Sequence, residues 1–175
     1  MDLTRPQAPY PYDLLPKVPA TFTITSQDME DGKPLADKFA APHENISPAL
    51  AWHGYPEQTQ SFVVTCFDPD APTPSGWWHW AVLDIDVATP YLAQNVGRSD
   101  LFLEGACFHA RNDSGTWAYY GPYPPADDGP HRYIFTVYAL DVPTLELDGD
   151  TSIAAVAFHA LSHTLARAEL AVTYE

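Results

Sequence analysis

Two short segments of the sequence combine rigid proline and glycine turns with side chains that can bind ions or hold protons. Residues 68–72 read Asp-Pro-Asp-Ala-Pro and are followed by His79 within a tryptophan-rich run. Residues 120–125 read Tyr-Gly-Pro-Tyr-Pro-Pro and are followed by His131 and Tyr133. Each segment stands beside an apolar run that is typical of a core strand. A fold does not need two such polar turns, so the pair indicates a small binding pocket.

Backbone geometry predicts that these side chains converge. Asp68 precedes a proline, which favours an extended backbone, so Asp68 and Asp70 should project to the same side. Side chains alternate along a strand, so His131 and Tyr133 should share one face. Such a cluster can bind a small anionic or zwitterionic group, because histidine and tyrosine donate hydrogen bonds to anionic oxygens. We expect Asp70 to hold an imidazole, that of His79, and not to touch the ligand itself.

Simpler interpretations exist for each segment. Asp-Pro-Asp is common in turns, where carboxylates bind backbone N–H groups, and a histidine among tryptophans is often a core residue.

An enzyme would need further groups. Cys66 lies in an apolar run without the cationic surroundings of a nucleophile, and His159 and His163 have the spacing of zinc ligands but no third partner. We therefore expect a non-enzymatic protein without metal or cofactor. The alternative is a small hydrolase using His79 or His131 as base.

The composition excludes several partners. The chain of 175 residues carries 23 Asp and Glu against 8 Lys and Arg, a net charge of −15. This charge repels nucleic acid and anionic lipid surfaces, so we expect no nucleic acid partner. The N-terminus has no signal-peptide pattern and no apolar run approaches about 18 residues. The expectation is a cytoplasmic protein with no integral membrane association.

The chain is expected to form one domain preceded by an arm. Residues 1–19 contain five prolines and predict an extended segment, and residues 20–175 predict a single domain. Four large side chains in the arm should pack against the domain or a sister subunit, because each gains about 1.5–3 kcal/mol on full burial. They are Tyr10, Tyr12, Leu14 and Leu15.

The strand pattern favours a mainly β fold. Residues 61–67, 77–85 and 132–140 are apolar on both faces, which predicts a sheet covered on both sides. The long proline-rich connections favour Greek-key topology over tight hairpins. One helix is predicted from Ser152 to about Ala168 with Thr151 as its cap, followed by a closing strand at residues 170–174.

Several motifs together resemble the phosphatidylethanolamine-binding protein family, in particular its bacterial branch, often called Raf kinase inhibitor-like. The match runs from about Phe22 to Tyr174 and is carried by ordered segments over most of the chain. These segments are Asn-Ile-Ser-Pro-Ala-Leu-Ala-Trp at 45–52, the turn at 68–72, Trp-His-Trp at 78–80, Ala-Arg-Asn-Asp at 110–113, Gly-Pro-Tyr-Pro-Pro at 121–125 and His-Arg-Tyr at 131–133.

The resemblance implies a fold around a large central antiparallel sheet with few helices. It also implies a small surface pocket for phosphate, acetate, cacodylate or the phosphoryl head of a phospholipid. Carried over to this sequence, the pocket residues are Asp68, Asp70, Pro72, His79, Gly121, His131 and Tyr133.

The leading hypothesis for function is therefore a non-enzymatic, regulatory ligand-binding protein. The rival is a protein-interaction inhibitor of a kinase or protease, which an exposed aromatic patch at Tyr119, Tyr120 and Tyr123 would support. Dimers occur among bacterial relatives, so a homodimer is a further expectation.

Overall fold

A computed structural model describes residues 3–175, within which it has nine β-strands, one α-helix and four short 3₁₀ helices. The strands are β1 (Ala20–Thr21), β2 (Thr23–Thr25), β3 (Leu50–His53), β4 (Ser61–Asp68), β5 (Trp77–Asp86), β6 (Tyr91–Leu92), β7 (Phe108–His109), β8 (His131–Leu140) and β9 (Thr164–Tyr174). The α-helix, α1, is Ile153–Leu161, and the 3₁₀ helices are Pro11–Asp13, Asp37–Phe39, Val96–Arg98 and Asp100–Phe102.

A six-stranded sheet forms the centre of the molecule, in the order β1-β9-β8-β4-β5-β7. All neighbours in it are antiparallel except β1 and β9, which run parallel. The spatial order β8-β4-β5-β7 is that of a Greek key, because β8 returns by a long connection to lie beside β4. A smaller antiparallel sheet has the order β2-β3-β6. The predicted mainly β fold with a large central sheet is confirmed.

Apolar side chains cover both faces of the central sheet, as the sequence pattern predicts. Along β4, Phe62 and Val64 pack in one core cluster and Val63 packs in another on the opposite face. The first cluster includes Trp52 of the small sheet, and the second includes Val156 of α1. Because neither face of β4 meets water, the central strands hold the residues at their ends in a rigid frame.

The helix is shorter than the sequence predicts, and its cap is different. It ends at Leu161, and the Ser152 hydroxyl, not that of Thr151, accepts the capping bond, from the Ala155 N–H at 3.3 Å. The rest of the predicted helix belongs to β9, which pairs with β8 from Thr164 to Tyr174. Alanine is compatible with both structures, and pairing with a buried strand outweighs its helix propensity. Arg167 therefore lies on β9, not in the last helical turn.

The N-terminal arm lies along the domain through its tyrosines. Tyr12 is buried, and its hydroxyl accepts a hydrogen bond from Thr136 Oγ1 at 2.8 Å. The Tyr10 hydroxyl donates to Glu169 Oε2 at 2.7 Å. Leu14 and Leu15 are 69% and 42% exposed, so the prediction that they pack against the domain is wrong. Their packing against a sister subunit stays a prediction.

The two cysteines and the question of a membrane-spanning segment can also be compared with the structure. Cys66 and Cys107 are both buried and are not paired in a disulfide. Burial raises the pKa of the Cys66 thiol well above its usual range, so it stays protonated and unreactive. Within residues 3–175, no helix has the length and apolar character needed to cross a bilayer.

Candidate functional site

The two polar turns meet where three core strands end. Asp68 is the last residue of β4 and pairs in register with Trp77, the first residue of β5, while β8 begins beside them at His131. Here the structure forms a cavity of about 280 Å³, which we call the aromatic pocket. The predicted site residues that line it are Asp68, Pro72, His79, His131 and Tyr133. Its other lining residues are Ala71, Thr73, Trp77, Ser114, Tyr120, Tyr123, Pro124 and Pro125.

Two predicted site residues do not line the aromatic pocket. Asp70 lines a neighbouring cavity, described below. Gly121 packs against the backbone of another loop, where a β-carbon would come within 2.0 Å of the Phe39 carbonyl oxygen. Its N–H donates to Asn45 Oδ1 at 2.7 Å. Glycine is required here for the close approach of two backbones, which fixes the loop behind Tyr120.

Asp68 shapes the pocket wall and does not present a free carboxylate. Its Oδ1 accepts hydrogen bonds from the backbone N–H groups of Asp70 and Ala71, at 2.8 and 3.0 Å. Its Oδ2 accepts from Nδ1 of His131 at 2.8 Å. These contacts close the turn after β4 and leave Asp68 buried with both oxygens engaged.

His131 lies between two carboxylates. Besides Asp68 on Nδ1, its Nε2 donates to Oδ2 of Asp128 at 2.9 Å. Burial alone would lower the pKa of His131, but the two carboxylates raise it overall, which favours the doubly protonated ring. Both N–H groups are then occupied. His131 therefore has no free N–H to donate to a ligand, contrary to the expectation from the sequence.

His79 has a different environment. Its Nδ1 lies 2.6 Å from the carbonyl oxygen of Tyr120, and since a carbonyl only accepts, Nδ1 carries the proton. The ring packs edge-on against Tyr133, with centroids 5.1 Å apart. Burial lowers the pKa of His79, so the neutral ring dominates at pH 7. Nε2 is the ring atom left to the pocket, as a lone-pair acceptor.

Tyr133 contributes a buried phenol to the wall of the pocket. The side chain is 1% exposed, and within residues 3–175 its hydroxyl has no hydrogen-bond partner. Burial, together with the nearby Asp68 carboxylate, raises the pKa of this phenol, and the neighbouring backbone N–H of Tyr123 opposes this only in part, so the phenol remains neutral. A buried unpaired hydroxyl costs free energy, about 1–3 kcal/mol. A ligand oxygen in the pocket would remove that cost.

The expected pairing of Asp70 with His79 is wrong. Asp70 binds Arg132, with Nε and Nη2 each 2.7 Å from its carboxylate oxygens and the Arg132 backbone N–H at 3.0 Å. Burial would raise the pKa of Asp70, but the guanidinium lowers it overall. Histidine was the wrong partner because bidentate geometry suits arginine better. The signal available in the sequence was Arg132 itself, which directly follows His131.

On the other side of the 68–72 turn lies a second cavity, of about 520 Å³, which we call the arm cavity. Arg5 of the N-terminal arm crosses it and donates to both oxygens of Asp128, at 2.6 and 2.9 Å. This pairing lowers the pKa of Asp128 to about 2. Arg132 Nη2 also donates to the Ala8 carbonyl of the arm at 2.6 Å. Neither Arg5 nor Asp128 was foreseen from the sequence.

The histidine pair singled out for zinc spacing does not form a cluster. His163 Nδ1 lies 2.9 Å from Asp141 Oδ1, whereas His159 is exposed on α1. Across residues 3–175, no three His, Cys, Asp or Glu side chains are placed to hold one metal ion.

Comparison with known proteins assigns the chain to a family. The family model described as "Phosphatidylethanolamine-binding protein" matches residues 25–175. Among curated proteins, the chain is 40% identical to the UPF0098 protein YbcL of Escherichia coli over 162 residues, covering 89% of this chain and 88% of the relative. It is also 40% identical to the UPF0098 protein YbhB of that organism over 156 residues, covering 86% and 98%.

Solved structures agree with this assignment. The crystal structure of E. coli YbcL, described as a new member of the mammalian PEBP family, superposes with a TM-score of 0.86 at 39% identity, covering 89% of this chain and 99% of that one. A PEBP homologue from Chlamydia trachomatis has a TM-score of 0.76 at 29% identity, covering 89% and 97%. The chain belongs to the phosphatidylethanolamine-binding protein family.

Proposed function

We propose that this protein is a non-enzymatic, regulatory binding protein whose aromatic pocket takes a small oxyanion, such as phosphate or the phosphoryl part of a headgroup. The observation that carries the proposal is the buried Tyr133 hydroxyl, which has no partner within residues 3–175 and lines the pocket beside His79. A donor held in a low-dielectric pocket is a favourable partner for an anionic oxygen.

The charges around the pocket support an anionic ligand despite the acidic chain. Three carboxylates near it are paired with cations inside the protein: Asp70 with Arg132, Asp68 with His131, and Asp128 with His131 and Arg5. A fourth, Asp113, also acts on His79 and accepts the backbone N–H of Trp78. An unpaired carboxylate 4 Å from a unit anion would cost about 4 kcal/mol at an effective dielectric of 20. Pairing removes most of that repulsion for Asp68, Asp70 and Asp128.

The alternative of a protein-interaction inhibitor has less support in the structure. The aromatic patch expected for it does not form, because Tyr119 is buried, Tyr120 is half-buried and only Tyr123 is exposed. Tyr123 instead lies at the rim of the aromatic pocket. The hydrolase alternative reduces to His79 as base, since both nitrogens of His131 are hydrogen-bonded to carboxylates.

A phosphate titration followed by NMR of the histidine rings tests the proposal. Millimolar phosphate or phosphoethanolamine should shift the resonances of His79, while those of the exposed His53 stay in place. His131 should respond less than His79, because its nitrogens keep their carboxylate partners. If His79 does not respond to either compound at millimolar concentration, the pocket assignment is wrong.

A further inference from the structure

The N-terminal arm, residues 3–13, lies on the domain in a site formed by polar side chains. The deepest contact is that of Tyr12, which is buried and whose hydroxyl accepts from Thr136 Oγ1 at 2.8 Å and from the Tyr138 hydroxyl at 3.2 Å. Earlier arm residues contact the turn before β8 and both of the strands β8 and β9. We call the domain residues that the arm contacts the arm site: Asp128, Arg132, Thr136, Tyr138, Arg167 and Glu169. Because all of these contacts are local to the arm and the arm site, the arm of a second copy fits the same site.

Residues 14–19 connect the arm to β1 and form an exposed loop, which we call the hinge. Tyr12 has the Arg167 guanidinium 4.3 Å from its ring centre, and Thr21 of β1 pairs in register with the same Arg167. Between Tyr12 and Thr21 the chain therefore leaves one position on β9 and returns to it. The hinge contains Pro16 and Pro19, and a residue before proline prefers an extended backbone. Short hinges that favour an open form promote the exchange of the attached segment between two copies.

The hinge also carries two large apolar side chains that the domain does not cover. Leu14 is 69% exposed and Leu15 is 42% exposed. If the hinges of two copies open and lie side by side, the leucines of one hinge cover those of the other. Removing apolar surface from water in this way favours the exchanged form over the closed one.

We propose that two copies of this chain form a dimer by exchanging residues 3–13, so that each arm occupies the arm site of the other copy. Every contact between arm and domain is kept, and the opened hinges pack against each other through Leu14 and Leu15. Arg5 of one copy then pairs with the partner's Asp128, so each arm cavity is completed by the other copy. The exchange does not require that the aromatic pocket bind a ligand.

The distribution of charge supports contact between two acidic copies at this surface. Each copy has a net charge of −15, so two copies repel each other in general. Four of the eight Lys and Arg residues nevertheless belong to the arm, the hinge or the arm site, namely Arg5, Lys17, Arg132 and Arg167. Acidic groups there are paired with these cations: Asp128 with Arg5, Asp70 with Arg132, and Glu169 with Arg167. Repulsion between the copies is therefore reduced where the arms are exchanged.

Size-exclusion chromatography with light scattering of the full chain tests this inference. A species of twice the mass of the chain should appear, and its fraction should rise with protein concentration up to about 1 mM, the order of the effective concentration of a tethered arm. Tyr12→Ala should abolish this species. Leu101→Asp is the control, because Leu101 is 89% exposed on the 3₁₀ helix Asp100–Phe102, and it should leave the dimer unchanged. A dimer that persists in Tyr12→Ala overturns the exchange.

A pair of charge-reversed variants distinguishes exchanged arms from every other kind of dimer. In Arg5→Asp, and separately in Asp128→Arg, the arm and its own arm site carry like charges. When the two variants are mixed, exchange places each arm opposite a complementary charge. The mixture should form a heterodimer at concentrations about tenfold lower than either variant alone, because two ion pairs replace two like-charge contacts.

The double variant that carries both Arg5→Asp and Asp128→Arg is the control, since the pair is restored within one chain, and it should dimerise as the parent does. The mixing experiment decides even if Tyr12→Ala does not fold. A mixture that dimerises no better than its components, or a parent chain with a single mass at every concentration, overturns the exchange and leaves the proposed function of the pocket standing.

Discussion

The aromatic pocket and the arm cavity lie on opposite sides of the same turn and share His131, yet their polar groups are in opposite states. At the arm cavity, Arg5 is paired with Asp128 and Arg132 with Asp70 within the chain. In the aromatic pocket, the Tyr133 hydroxyl is unpaired within the described residues, and His79 has an engaged Nδ1 only. The larger cavity lies between the arm and the domain, and the smaller one is the proposed binding site.

This comparison shows that Asp68 and Asp70, which are two residues apart, have different structural roles. Asp68 fixes the turn and holds His131, and Asp70 holds Arg132 on the arm side. Neither carboxylate has a free pair of oxygen atoms that could face a ligand. Each carboxylate is paired with a cation, so in the proposed function the ligand is recognised by the uncharged groups of His79 and Tyr133.

The largest expected effect is on stability, from Asp68→Ala. The change removes the acceptor of two backbone N–H groups and leaves the His131 ring buried without one of its anions. Breaking a buried ion pair on one side costs about 3–5 kcal/mol. Urea unfolding should show this loss, with Asp70→Ala as the control. Asp70→Ala should cost less, because the Arg132 side chain is 18% exposed and can reach water. Equal losses of unfolding free energy in the two variants would contradict the different roles of Asp68 and Asp70.

The arm should separate from the domain in Tyr12→Ala. Tyr12 is buried, accepts a hydrogen bond from Thr136, and has the Arg167 guanidinium 4.3 Å from its ring centre. Truncating a buried aromatic ring costs about 3 kcal/mol. Leu14→Ala, at a site that is 69% exposed, is the control and should change the free energy of unfolding by under about 0.5 kcal/mol. Phosphate affinity should be unchanged in both variants, and a loss in Tyr12→Ala would place the arm in the binding site.

Tyr133→Phe should weaken the binding of oxyanions and preserve the fold. The change removes the donor to the ligand, and a hydrogen bond to a charged group contributes about 1.5–3 kcal/mol, or about 10–150-fold in affinity. The free energy of unfolding should stay the same or rise, since a buried unpaired hydroxyl is lost. Phosphate and sulfate should lose affinity by the same factor, because this group does not distinguish them. Unchanged affinity would remove Tyr133 from the site.

The smallest effect is expected from Arg5→Ala. The Arg5 side chain is 33% exposed, so its pair with Asp128 contributes under about 1 kcal/mol at neutral pH. The pKa of Asp128 is lowered to about 2 in the folded chain, so the pairing stabilises the fold above about pH 4 and is lost as the pH falls toward 2. The variant should therefore lose less stability than the parent between about pH 5 and pH 3. An identical pH dependence in parent and variant would show that Arg5 does not lower the pKa of Asp128.

The sequence predicts the fold well because its strands are unambiguous. Short runs that are apolar on both faces and rich in β-branched and aromatic residues are typical of buried strands in a covered sheet, and the ends of such strands bring Asp68, His79, His131 and Tyr133 together. The predicted helix is too long because residues 162–168, which include two alanines and a leucine, suit either structure, and pairing with β8 decides between them.

The partners of the charged residues were harder to predict than their location. Asp70 could have bound His79 or Arg132, and the choice depends on the register of β8 relative to the turn. Arg5 and Asp128 are 123 residues apart, so no local pattern links them. The direction of each hydrogen bond at His79 depends on one carbonyl, that of Tyr120, which a sequence does not reveal.

The most direct test of the account is the electron density of a crystal grown in millimolar phosphate without sulfate. We predict one tetrahedral anion in the aromatic pocket, within hydrogen-bond distance of both Tyr133 Oη and His79 Nε2, with the Arg5 to Asp128 pair intact beside it. Phosphate bound to Arg5 in the arm cavity, with the aromatic pocket holding only water, would contradict the central claim that the uncharged groups, and not the charged ones, form the binding site.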